Sequence, residues 1–345
     1  MKKIKYPVLV ILFFFVVEIL LKYLNPSVYV SDELLGWATK KNFRHTYNQI
    51  DLYGNSYISN YSTNKFGARD YQTEINQKNK ENFYEILVIG DSFTMDPYSG
   101  NNKMWFSILA NNLSNEFNLN VNINAFGSGA YGTLQEYLVI KKEVEFKKNY
   151  NPNIILLQFC SNDFANNNLE MEKANFSISQ YMRRPYYFNN QINYYDSFFS
   201  YFYRKNFLLK DSRLFAKFTF LLEILLRNIF SNNLNKINID IINQTEKTTE
   251  LLLKKIKNLY PNTPAFIFSC SNNQSNINKN WNLIAKKSGF IVLENSSNFI
   301  ELASKKNKKI FFKDGGHLND LGNNLWGLQI FEDLKINISL LNLIK

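Results

Sequence analysis

The sequence predicts an α/β protein: a three-layer α/β/α architecture around a central, mostly parallel sheet of five strands. Three observations predict it. Five short segments, at 86–89, 121–126, 153–159, 265–270 and 290–293, read as strands, the first, third and fourth of them as apolar runs buried in the sheet. Segments with helical spacing lie between them. The first three of these strands each finish in a glycine-rich or polar loop, and in a doubly wound sheet such loops converge at one edge.

At 345 residues the chain can bury one large core, or one core with appendages. Its 40 basic and 29 acidic residues leave a net charge of +11. Lysine is spread throughout, with only short clusters such as 305–309. The charge therefore reads as a solvated surface that tolerates anionic lipid. A nucleic-acid binder would concentrate it on a stripe, so no nucleic-acid partner is expected. Cys160 and Cys270 fit no metal spacing. Each ends an apolar run, and both read as separate small core residues.

Lys2, Lys3 and Lys5 precede an apolar stretch, Tyr6 to Leu21, interrupted only by Glu18. With Lys22 and Tyr23 as flank, about 18 residues at ~1.5 Å each reach roughly 27 Å, close to a bilayer core. The expectation for 1–24 is a transmembrane anchor with its lysines in the cytoplasm and the body of the protein outside. A cleaved signal peptide is the competing reading, but no small-residue cleavage pattern follows.

Residues 25–82 form a polar lead-in, rich in Tyr and Asn, with small β elements. Alternation over 51–58 suggests a hairpin. His45 has no partner in a recognisable motif and reads as a surface residue. Asn64, Gly67, Arg69 and Asp70 form N-x-x-G-x-R-D just before the first core strand. This is a turn, or a place where Arg69 buttresses the sheet or reaches toward a site.

The main domain, 83–340, starts with the run Ile86 to Ile89, broken by Gly90-Asp91-Ser92. A serine at the carboxyl end of a central parallel strand sits where open α/β sheets place their ligands, and Gly90 permits the sharp turn. An Asx-turn or helix cap would account for the same three residues without any chemistry. Trp105, Ile108, Leu109, Leu113 and Phe117 have helical spacing. Gly127, Gly129 and Gly132 follow the second strand, and 133–146 reads as a helix. The third strand ends in Cys160-Ser161-Asn162-Asp163.

Residues 165–238 read as an aromatic-rich insertion with a long apolar helix over 214–230. It covers the sheet's edge, or forms a lid over a pocket, or rests on a membrane. A further helix over 240–260 is stopped by Pro261 and Pro264, and 281–287 is helical. In Phe311 to Leu318, His317 follows Asp314 by three residues with two glycines between. The carboxylate can then reach the imidazole Nδ1, leaving Nε2 to face Ser92. Leu318 to Asp333 is the last predicted helix, with Gly322 and Trp326 near the site. Residues 335–345 pack on the sheet or fray.

Gly90-Asp91-Ser92, Gly129 in NAFGSG, Asn162 in SND, and Asp314 with His317 in DGGH occur in this order. With these four blocks the chain resembles the SGNH, or GDSL-type, hydrolases over about 85–335, apart from the middle section. Leu35-Gly36-Trp37 and Asn64 to Asp70 resemble the lead-in of membrane-anchored bacterial members. Two departures exist. Ser161 precedes Asn162 where many members carry glycine, and Gly127 competes with Gly129. Gly129 is preferred because it follows Asn124 by five, as in the family.

The resemblance implies a flavodoxin-like SGNH hydrolase fold and a catalytic triad of Ser92, Asp314 and His317. It implies an oxyanion hole made by the backbone N–H groups of Ser92 and Gly129 and the Asn162 amide. The implied enzyme is a serine esterase working through an acyl-serine, with no metal and no cofactor. Combined with the anchor and the aromatic insertion, the expected substrate is an O-acyl, foremost O-acetyl, ester of extracytoplasmic carbohydrate. The expected location is the bacterial inner membrane, single-pass, with the catalytic domain on the periplasmic or extracytoplasmic side. One alternative is an O-acyltransferase that modifies a surface or exopolysaccharide with the same triad. Another is a non-catalytic glycan-binding or assembly protein that kept the fold.

Overall fold

The structure is a computed structural model that describes residues 5–24, 26–50, 54, 56–73, 83–143, 148, 150–174, 183–196, 209, 212–230, 239–270, 280–306, 308–312 and 316–341. Helix α1 (Lys5–Leu24) opens the chain. Two antiparallel hairpins follow, β1 (Tyr29–Asp32) with β2 (Gly36–Thr39), and β3 (Arg44–Ile50) with β4 (Ser56–Ser62). The core then runs through β5 (Arg69–Gln72), β6 (Phe83–Gly90), α2 (Ser92–Met95), α3 (Trp105–Phe117), β7 (Asn120–Gly127), α4 (Thr133–Lys142) and β8 (Ile154–Phe159). The middle section holds α5 (Ser161–Asn166), α6 (Leu169–Ala174), the hairpin of β9 (Arg184–Phe188) and β10 (Gln191–Tyr195), and α7 (Arg213–Phe230). The chain closes with α8 (Ile239–Lys257), β11 (Ala265–Ser269), α9 (Trp281–Lys287), β12 (Ile291–Val292), α10 (Glu294–Lys305) and α11 (Asp320–Leu341).

Five strands pair in parallel in the spatial order β12-β11-β8-β6-β7. Counted among themselves along the chain this is 2-1-3-4-5, the doubly wound order whose direction reverses beside the first strand. Neighbouring residues of β6 face opposite layers. Ile86 and Val88 pack with α3, α10 and α11, while Leu87 and Ile89 pack with α4, α8 and α9. Both faces are covered, which is why the run shows no polar alternation. Trp326 is fully buried in the first layer, its ring 5.3 Å from Phe268 and 5.7 Å from Trp105.

The structure corrects several expectations. The sheet has six strands, not five, because β5 pairs antiparallel with β7 and covers its free edge. The sequence of β5, RDYQ, contains no apolar run to announce a strand. The last helix continues to Leu341, since Leu334 and Ile338 are buried in the core. Cys160 and Cys270 are joined by a disulfide. They follow the adjacent strands β8 and β11, whose register places Phe159 beside Ser269 and brings the two Cα atoms to 5.0 Å. A separation of 110 residues hid that pairing in the sequence.

Among the described residues no helix is long and apolar enough to cross a membrane, so the expected span is not recovered. In α1 the unbroken part of the apolar stretch, Tyr6 to Val17, gives only about 18 Å of helix, short of a bilayer core. Glu18 ends that run, and its carboxylate accepts hydrogen bonds from the backbone N–H groups of Arg213 (2.9 Å) and Leu214 (2.8 Å). It therefore caps the start of α7, satisfying donors that a helix start leaves open. The β9–β10 hairpin of the insertion packs on the lead-in. Arg183 pairs with Glu33, Tyr194 donates to the Leu34 carbonyl, and Arg184 lies over the Trp37 ring.

Candidate active site

Ser92 is the first residue of α2, directly after the central strand β6, and is half-buried. Asp91 caps this short helix: its Oδ1 accepts the Phe93 N–H at 3.0 Å. The Asp91 N–H (3.3 Å) and the Thr94 hydroxyl (3.0 Å) both donate to Gln158 Oε1 on β8. Strand register pairs Gly90 with Gly127 beneath the turn. A Cβ on Gly127 would lie 2.8 Å from the Asp91 carbonyl oxygen and the Met95 nitrogen, so glycine is required there by close packing. This gives Gly127 a structural reason and leaves Gly129 as the candidate donor of that loop.

Asn162 stands at the second position of α5, directly after β8. Its Nδ2 donates to Asp91 Oδ2 at 3.2 Å. Ser92 and Asn162 thus flank the crevice where the strand order reverses. The Gly129 loop follows β7, on the other side of β6. Its N–H donates to the phenol oxygen of Tyr29 at 3.1 Å, and its carbonyl accepts from Trp37 Nε1 at 3.0 Å. The Ala130 carbonyl accepts from Arg184 and from Asn166 Nδ2. The lead-in and the insertion therefore hold this loop between them.

His317 lies at the same edge. Its ring centroid is 5.6 Å from that of Phe93, the residue after Ser92, and 5.7 Å from that of Tyr98. The loop that carries it is tied at its base. Phe312 N–H donates to the His317 carbonyl at 2.9 Å, and Asn319 N–H to the Ile310 carbonyl at 2.9 Å. Asp314 lies outside the described residues. His45 sits in β3 with its ring 4.4 Å from Tyr47. The structure thus gathers Ser92, Gly129, Asn162 and His317 at the carboxyl edge of the sheet.

Arg69 acts from below. It is buried, and its guanidinium donates to the carbonyls of Met95 (2.9 Å), Asp96 (2.6 Å) and Ser99 (2.7 Å) and to Asn101 Oδ1. Burial lowers its pKa to about 10, against the pull of Tyr61 and Asp96. Of the sequence readings, the buttress is the one observed. Arg69 braces the loop that leaves Ser92.

Three buried carboxyls lie behind the crevice. Burial raises the Asp91 pKa, while the Phe93 N–H and the Gln158 and Asn162 amides oppose that rise. Burial pushes Glu136 on α4 well above the ordinary range, with the Asp91 charge adding to it. It pushes Asp163 the same way, with Glu136 and Asp91 adding to it. Among the described residues no group of three or more His, Cys, Asp or Glu is suited to a metal ion. Sequence reasoning missed Tyr29, Glu136 and Arg184. They carry no motif, and each meets the site from a different segment.

A Gly-Asp-Ser turn on the first strand of a 2-1-3-4-5 parallel sheet, with an Asn loop across the switch point, defines a doubly wound hydrolase of the serine ester class. The chain belongs to the GDSL-like lipase/acylhydrolase family, whose model matches residues 86–330, and is an ester-bond hydrolase. No curated protein sequence matches it. Among solved structures it is similar to a lipase from a goat rumen metagenome, at 12% identity, 72% of this chain, 96% of that chain and a TM-score of 0.40. It is also similar to an acetyl xylan esterase, at 13% identity, 72% and 98% coverage and a TM-score of 0.40. A lipase/acylhydrolase from Enterococcus faecalis matches at 11% identity, 74% and 97% coverage and a TM-score of 0.40.

Proposed function

We propose that the protein is a serine esterase that removes O-acyl, foremost O-acetyl, groups from extracytoplasmic carbohydrate through an acyl-serine intermediate. The observation that carries this reading is the meeting of Ser92, Asn162 and His317 at one sheet edge. Serine is a poor nucleophile at neutral pH and needs an adjacent base. His317 Nε2 takes the Ser92 proton as Oγ attacks the ester carbonyl, and Asp314 holds the imidazole tautomer. The Ser92 and Gly129 N–H groups and Asn162 Nδ2 receive the oxyanion. In the resting structure Tyr29 occupies the Gly129 N–H, so the oxyanion takes the place of that phenol oxygen. Collapse expels the sugar alcohol, protonated by His317, and water then releases the acid.

Attachment to a membrane, with the catalytic domain on the extracytoplasmic side, belongs to the same proposal. Two features support it. The side chains from Val8 to Val16 are exposed and apolar. The Cys160–Cys270 disulfide suits an oxidising compartment. The test of the site is Ser92→Ala assayed with p-nitrophenyl acetate. The expected loss in kcat is about a thousandfold or more. A variant that keeps full activity removes the assignment. Mass spectrometry of an acylated glycan incubated with the enzyme separates free acetate from transfer to a second sugar hydroxyl.

A further inference from the structure

The insertion builds a second cleft. It has a volume of about 290 Å³ and lies between the β9–β10 hairpin, the residues that follow α5, and α8. We infer that this cleft is a subsite for a neutral pyranose unit of the polymer whose ester is cleaved at Ser92. The inference rests on the carbohydrate reading above and names where that carbohydrate is held.

The hairpin lines the cleft with aromatic residues, Tyr187 and Tyr194 from one of its faces and Phe188 from the other. The Tyr194 ring is fixed before any ligand arrives, by Arg183 3.7 Å from its centroid and by its hydroxyl donating to the Leu34 carbonyl at 3.3 Å. Tyr187 has Lys255 Nζ 5.3 Å from its centroid. Rigid aromatic faces suit the C–H face of a pyranose and lose little entropy on binding. The opposite wall carries Asn168 and Gln244, joined by a hydrogen bond from Asn168 Nδ2 to Gln244 Oε1 at 3.5 Å, and the Gln244 amide supplies donors for sugar hydroxyls.

Asn167 closes the inner end of the cleft. Its side chain is only 2% exposed. Both its amide hydrogens are committed, to Thr133 Oγ1 at 3.0 Å and to Thr249 Oγ1 at 2.9 Å. Its Oδ1 is buried beside Gly132, so Asn167 ties α4, α5 and α8 together beneath the cleft. Position also fits. Asn162 and Asn167 lie at the two ends of α5, so the cleft starts about 8 Å along that helix from the oxyanion candidate. A polymer with its ester at Ser92 would place a neighbouring sugar there.

The test uses the full chain with acetylated cello-, xylo-, manno- and chito-oligosaccharides, p-nitrophenyl acetate and p-nitrophenyl laurate. The quantity read is the ratio of kcat/KM on each oligosaccharide to that on p-nitrophenyl acetate. Phe188→Ala sits beside the exposed hairpin turn, and Gln244→Ala lies on the facing wall, so two independent variants probe the cleft. The expected result is at least one oligosaccharide preferred by the wild type, with that ratio cut at least tenfold in both variants through KM. A preferred oligosaccharide whose ratio stays within twofold in both variants overturns the subsite and leaves the carbohydrate reading standing. No preferred oligosaccharide in the wild type sinks the carbohydrate reading itself, and the subsite with it. Variants that instead lose selectively on the laurate assign the cleft to an acyl chain and overturn the sugar assignment.

Discussion

Asn162 and Asp91, 71 residues apart in the chain, meet across the crevice through one hydrogen bond of 3.2 Å. Asp91 also caps the helix that begins with Ser92, so one carboxylate orients both the nucleophile's helix and the candidate oxyanion donor. Asn162→Ala is expected to lower kcat on p-nitrophenyl acetate by a factor of about 10²–10³, with little change in KM. Steady-state kinetics checks this, and a fall in KM-limited binding alone contradicts the oxyanion role.

Arg69 is expected to be indispensable to the same loop. Replacing it by Met leaves the carbonyls of Met95, Asp96 and Ser99 buried without their donor. Each such group costs about 1–3 kcal/mol. Arg69→Met should therefore lose more than about 3 kcal/mol in urea unfolding and most of its esterase activity. Arg69→Lys, which keeps the charge without the planar fork, should recover only part of either. Full stability in the Met variant would contradict the brace.

The Glu136 and Asp163 pair sets a pH dependence. Both carboxyls are raised by burial, so the native state holds protons that the unfolded chain releases at the ordinary Glu value of 4.5 and Asp value of 3.8. The stability this pair contributes is complete below those values. It is lost as pH rises toward the folded-state values, at about 1.4 kcal/mol per pH unit for each proton held. Glu136→Gln has no proton to lose there. Its Tm should fall less than that of the wild type between about pH 5 and 8. Calorimetry at several pH values decides, and parallel curves would show that Glu136 titrates normally.

The Cys160–Cys270 bridge closes 110 residues of chain. A cross-link over such a loop constrains the unfolded state by about 4–5 kcal/mol in the chain-entropy estimate. Cys270→Ser should lower the urea midpoint accordingly. It should also reduce activity, because Cys160 immediately precedes the helix that presents Asn162. An unchanged midpoint under reducing and non-reducing conditions would mean that the bridge contributes nothing.

The legible part of the protein was its central sheet. Unalternated runs such as Ile86 to Ile89 announce burial on both faces, and all five expected parallel strands form. Ser92, Gly129 and Asn162 were legible because each ends a strand, and strand ends share an edge whenever the strands are parallel. β5 was not legible: its four residues owe their strand state to the free edge of β7. Glu18 read as a flaw in an apolar stretch, yet its carboxylate caps a helix that starts at Arg213.

By itself, then, the sequence determined the parallel core and the order in which its loops arrive at one edge. Both follow from local apolar periodicity and from the glycine and polar residues at strand ends. Only the tertiary structure decided what surrounds that edge. Tyr29 on the Gly129 N–H, Arg69 beneath the serine loop, Arg184 over Trp37 and the aromatic cleft beside α5 are contacts between segments remote in the chain. Such contacts leave no period in a sequence, because hydrogen bonding and packing depend on where folded elements meet and not on their spacing along the chain.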